Sequence, residues 1–302
     1  MFSDDQLRRK DLDTLHRWLL CKLGGYMIAV KDMPAGQRLY RGVRCPERPE
    51  KISRISYPPA DIASLGRLNR PGQPKFYCSA GGPPVFYELH AQRGDLIGFS
   101  EWETTEPLWV HNLDYHPRAL IRIGAQSGTI DMRYRVTHAV PDETKVNEKI
   151  RYQISKAFTA DVPKGNEYRY KQTIAINESL SEVVYVGGNF LEVPKNPKIA
   201  GTVYPAMKMH GDADNVALPP EFVDISLRLV SVRYVKVEET NETSSSTNFL
   251  PSGSRKSFPA TRSTGQMLLV QRTIAELLLR SKMVIGLCAM GVGASTTRFE
   301  VG

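Results

Sequence analysis

The sequence predicts an α+β fold. Apolar residues recur at helical intervals in a few segments, and short β-branched or aromatic runs bounded by Pro and Gly lie between and after them. With 302 residues, 41% hydrophobic and 24% charged, the chain can build one large domain with appendages, on a scale of roughly 100–200 residues per domain. Taken in order, Ser3 and Gln6 have capping-box spacing, and Leu15, Trp18 and Leu19 follow on one face, so residues 4–22 are expected to form an amphipathic helix. Strands are expected at 26–30, 39–43, 75–79, 95–101 and 108–113. Pro83 and Pro84 suit the first turn of a helix that carries Glu88. Two helices follow at 147–158 and 168–180, joined by the turn-rich DVPKGNE, and then strands at 202–204, 215–218 and 227–237. Residues 239–265 are rich in Ser, Thr and Asn and poor in apolar side chains, which predicts a flexible linker. Ile274, Leu277 and Leu278 then mark a C-terminal amphipathic helix over 266–285. The expected divisions are a helical extension (1–36), a central domain (37–238), the linker (239–265) and a C-terminal helical segment (266–302).

Charge and cysteine usage narrow the chemistry. The net charge is +8, and residues 37–75 hold nine basic side chains against three acidic ones, so an anionic ligand is expected there. Cys21, Cys45, Cys78 and Cys288 are scattered without CxxC spacing, which indicates neither a zinc site nor a disulfide framework and fits a reducing cytoplasm. The charged N-terminus lacks the apolar core of a signal peptide. The longest apolar run near the end, from Met283, is short of the roughly 20 residues that span a bilayer, so no membrane association is expected.

Residues 66–88 concentrate the reactive residue types. Arg67 and Asn69 lie two apart between Gly66 and Gly72, so extended backbone points both side chains the same way. Glu88 sits among Phe86, Tyr87 and Leu89, and a carboxylate buried there would need a partner such as Arg41 or Arg67. His90 is offset from Glu88 by two residues, which points it elsewhere on a helix, and His111 and His116 have no carboxylate at ligand spacing. All six histidines are therefore read as structural or surface residues, and no metal is expected.

These motifs form an ordered set: Tyr40-Arg41, then Gly66-Arg67-x-Asn69-x-x-Gly72, Phe76-Tyr77, Glu88, Tyr204-Pro205 and Asn215-x-Ala217-Leu218. Over about residues 37–223 the set resembles the RES domain, a family named for Arg, Glu and Ser positions and similar in fold to ADP-ribosyltransferase toxins. The resemblance implies an intracellular toxin that destroys NAD+ by hydrolysis or phosphorolysis, with NAD+ as substrate rather than cofactor, neutralised by a cognate antitoxin protein. One position departs from the pattern. Where the family carries its serine, after Tyr204-Pro205, this chain has Ala206, with Ser79 as a substitute hydroxyl elsewhere.

On this resemblance Glu88 is the catalytic carboxylate that stabilises the oxocarbenium-like transition state as nicotinamide leaves. Arg41 and Arg67 hold the pyrophosphate or ribose by charge-assisted hydrogen bonds, Tyr77 and Tyr40 wall the pyridinium ring, and Asn69, Tyr204 and Asn215 brace or orient. Phe76 is read as a core residue of its strand. Two other readings accompany this one: ADP-ribosyl transfer to a macromolecule, and a catalytically degenerate domain that binds nucleotides or nucleic acid. Nucleic acid is disfavoured because few aromatics interleave the basic segment and no DNA- or RNA-binding signature occurs. The sequence leaves the oligomeric state open, a homodimer included.

Overall fold

The computed structural model describes residues 1–23, 26–113, 116–131, 145–182, 185–186, 198–237 and 283–288. The first predicted helix is two. α1 (Asp4–Arg9) is closed by the Ser3/Gln6 capping box, and α2 (Leu12–Lys22) restarts where the Asp11 carboxylate accepts from Thr14 N at 2.7 Å. An Asx cap inside the expected helix divides it, because Asp11 is extended at φ −72°, ψ 161° and cannot continue a helix.

The strands are β1 (Met27–Met33), β2 (Arg38–Arg44), β3 (Phe76–Ser79), β4 (Leu96–Thr104), β5 (Leu108–Asn112), β6 (Tyr185–Val186), β7 (Ile199–Pro205), β8 (Asp214–Leu218), β9 (Leu227–Lys236) and β10 (Met283–Cys288). They form one sheet in the order β6-β10-β1-β5-β7-β8-β3-β2-β4-β9. Every pair is antiparallel except β5 with β7. The helices after β3 are α3 (Pro84–Glu88), α4 (Pro117–Arg122), α5 (Lys145–Phe158), α6 (Tyr170–Ser181) and α7 (Pro220–Ser226). α4 and α7 are additions to the sequence reading, although each begins with the Pro that favours a first helical turn. The helix expected to run through residue 285 is corrected at its end: Met283–Cys288 is a strand that pairs with β1 and β6. The linker at 239–265 and the rest of that helix lie outside the described residues.

Each face of the sheet has its own core. On one, Leu113, Tyr204 and Ala217 pack beneath Leu15 and Leu19 of α2, Ile154 and Phe158 of α5, and Ile176 and Leu180 of α6. On the other, Leu39, Phe76, Trp102, Val203, Val216 and Leu218 pack together with Val223 of α7. Full burial of one such side chain is worth about 1.5–3 kcal/mol, so these two clusters set the register that places the side chains on the strands. α3 is fitted differently. Gly42 on β2 lets it approach, since a Cβ there would strike Val85 and would stand 2.8 Å from Leu89 Cδ1.

Candidate functional site

Strand pairing lines up a polar row across six strands of the helix-covered face. Tyr204 of β7 faces Asn215 of β8, Asn215 faces Ser79 of β3, Ser79 faces Tyr40 of β2, Tyr40 faces Glu101 of β4, and Glu101 faces Ser231 of β9. Directly opposed residues share a face, so four of the predicted site residues come together through register alone. Glu88 joins them from α3. Its Oε1 accepts from Asn215 Nδ2 at 2.9 Å.

This corrects the expected environment of Glu88. It is exposed rather than buried, and its partner is the buried amide of Asn215 rather than a guanidinium. The geometry follows from the helix. Pro84 starts α3, Val85 and Phe86 turn inward, and Glu88 falls on the outward side of its last turn.

Arg41 lies elsewhere because it follows Tyr40 on the same strand and leaves β2 on the opposite side. β2 and β3 share the single pair Tyr40–Ser79. Beyond it Arg41 fills the parting between the strands, donating from Nη1 to the Tyr77 carbonyl at 2.6 Å and from Nε to the Ser56 carbonyl at 3.0 Å. Its guanidinium carbon stands 5.3 Å from the Phe76 ring centre, and burial pulls its pKa down to about 10. Phe76 is fully buried, as the strand reading expects.

Arg67 is also committed to backbone. Nη1 donates to the Phe158 carbonyl at 3.1 Å and Nη2 to the Ala160 carbonyl at 3.3 Å, so a cation closes the negative end of α5. The Arg67 carbonyl itself accepts from Thr173 Oγ1 at 2.6 Å. The loop around Arg67 is held by Asn69, whose Nδ2 donates to the Ser64 and Arg70 carbonyls at 2.7 and 3.0 Å. Tyr77 completes the brace: its hydroxyl donates to Asn69 Oδ1 at 2.7 Å and accepts from Leu68 N at 2.8 Å. A Cβ at Gly66 would collide with Asn69 Oδ1, which is why a glycine stands there. Tyr77 is thus a bracket for the arginine loop before it is a wall for a ring.

Tyr204 is held as a neutral phenol. Burial pushes its phenol far up, neighbouring Tyr77 and Glu88 add to the rise, and Arg67 opposes it. Its ring centre lies 5.9 Å from that of Phe158. Tyr40 stacks on Phe99 at 5.8 Å, and Phe99 stacks in turn on Phe86 of α3 at 5.4 Å. Phe99 and Thr173 were outside the sequence reading; the period-two alternation of β4, which puts Phe99 on the same face as Glu101, was the available signal for the first.

Neither position 206 nor Ser79 presents a free hydroxyl. Ala206 is fully buried, and its N–H donates to the Ala213 carbonyl at 2.9 Å. Ser79 Oγ donates to the Asp214 carbonyl at 2.9 Å and accepts from Gly81 N. The basic surplus of residues 37–75 is dispersed. Arg38 pairs with Glu101 and Glu103, Arg44 with Asp95, and Arg70 with Asp13 and Glu178; Arg48, Lys51 and Arg54 are exposed, and Lys75 is half-buried.

No family model, curated protein or solved structure matches this chain. Among the described residues no helix is long and apolar enough to cross a membrane, and no group of three or more His, Cys, Asp or Glu could hold a metal ion.

Proposed function

We propose that the chain cleaves the N-glycosidic bond of NAD+, releasing nicotinamide. The observation that carries this reading is the Asn215–Glu88 hydrogen bond at 2.9 Å, which holds an exposed carboxylate at the edge of the Tyr40–Ser79–Asn215–Tyr204 row. Oε1 accepts from the amide, which leaves Oε2 as the oxygen to act on the substrate. In the reaction the C1′–N bond breaks and its electron pair neutralises the pyridinium, so no group has to protonate the leaving base. Glu88 stabilises the cationic ribose and accepts the proton of the water that bonds to C1′; ADP-ribose, nicotinamide and one proton result.

The division of labour differs from that implied by the family resemblance. Tyr40, stacked on Phe99, supplies the wall for the pyridinium, because Tyr77 is packed against the helix-covered core with its hydroxyl held in the arginine loop. Arg41 and Arg67 act as positioning residues and as a background of positive charge, since their described donors end on carbonyls. Asn215 takes over the orienting duty for which position 206 offers no hydroxyl. On this reading the fold is a RES-type relative of ADP-ribosyltransferases, the protein acts in the cytoplasm as a toxin, and a cognate antitoxin restrains it.

Incubating the purified chain with NAD+ and identifying the products tests the proposal. Free ADP-ribose means hydrolysis, and ADP-ribose phosphate formed only with phosphate present means phosphorolysis. Label on a macromolecule means transfer, with the acceptor in place of water. Intact NAD+ under all three conditions contradicts the proposal.

A further inference from the structure

A cleft of about 460 Å³ opens between the N-terminal segment, α5 and α6. Its size falls in the range of about 300–1,000 Å³ usual for small-molecule sites. None of Tyr40, Ser79, Glu88, Tyr204 and Asn215 lines it, so the cleft is a site apart from the Glu88 row, with Arg67 standing between the two.

Its chemistry is one-sided. Arg67, Lys156 and Arg169 bring three cations, against the single carboxylate of Asp4. Asp4 is held at 2.5 Å by Arg169 Nη2, and Arg169 keeps a buried Nε that has no hydrogen-bond partner among the described residues. Beside the cations lies an apolar wall of Phe2, Val162 and Tyr170. The roof is pinned where Phe2 N donates to Gln172 Oε1 at 3.3 Å.

We propose that this cleft binds a nucleoside monophosphate. Lys156 and Arg169 take the phosphate, with the guanidinium of Arg169 exchanging Asp4 for a doubly charged oxyanion that forms stronger, forked hydrogen bonds. The nucleoside lies along Phe2, Val162 and Tyr170, an apolar surface with no use for a bare anion. Asp4 competes with the phosphate for Arg169, so the N-terminal segment shifts when the ligand enters. The inference is independent of NAD+ cleavage.

Calorimetric titration of the full chain with AMP, and in parallel with inorganic phosphate, tests it. AMP is expected to bind, and phosphate to bind at least about tenfold more weakly. Lys156→Gln and Arg169→Gln should each weaken AMP binding by about tenfold, Lys156 being exposed and its replacement compatible with the fold. Asp4→Asn should tighten AMP binding, and Glu88→Gln should leave it unchanged. Several outcomes overturn the proposal. They are no AMP binding, equal affinity for AMP and phosphate, indifference to both cation replacements, unchanged or weaker binding in Asp4→Asn, or loss of AMP binding in Glu88→Gln.

Discussion

The Asn215 amide fixes Glu88 Oε1 from a buried position in β8, so the carboxylate is oriented by the sheet rather than by its own short helix. Asn215→Leu removes that hold without removing the acid. NAD+ turnover is predicted to fall by about 10- to 100-fold in kcat, with KM nearly unchanged, because the lost contact acts on alignment in the transition state. Tyr77→Phe acts on stability instead. It leaves Leu68 N without its acceptor at 2.8 Å, and denaturant unfolding should show a loss of about 1–3 kcal/mol. The sequence made Glu88 and Asn215 legible as candidates but not as partners, since 127 residues separate them. Arg41 shows the opposite limit: period-two alternation already put Tyr40 and Arg41 on opposite faces, and the family resemblance drew both into one site.

At the scale of elements, α3 is positioned by the close approach that Gly42 permits. Gly42→Ala should cost about 1–3 kcal/mol through overpacking against Val85 and Leu89. It should also lower NAD+ turnover by displacing the helix that carries Glu88, an effect that thermal unfolding and kinetics measured on the same variant can separate. Ser3 and Pro84 announced the starts of α1 and α3 in the sequence, because caps and N-terminal prolines are local signals. The break at Asp11 was equally local: it falls between the Ser3/Gln6 cap and the apolar stripe that begins at Leu15, and the expected helix joined the two across it. β10 was hidden for another reason. Its pairing with β1 joins Met27 to Leu287, a contact that no window of neighbouring residues contains.

Across the whole molecule, two cores on opposite faces of one sheet decide which side chains meet. That arrangement is a property of strand order, and strand order left no mark in the sequence. The packing also has a pH signature. His111, buried in β5, has its pKa pushed down to about 4 by burial, so it stays neutral in the folded chain. Stability is full above about pH 6.5, where folded and unfolded states are both neutral at this site. It declines as the pH falls towards 4, because the unfolded chain takes up the proton first, and the decline levels off below the folded pKa. Melting temperatures across this window should follow that curve, and His111→Gln should flatten it. The central claim is catalytic, and the most direct measurement is NAD+ consumption by wild type and Glu88→Gln at matched folding. The account predicts nicotinamide release by the wild type and a loss of about 10²–10⁴-fold in the variant. Equal turnover by the two proteins, or none by the wild type, would contradict it.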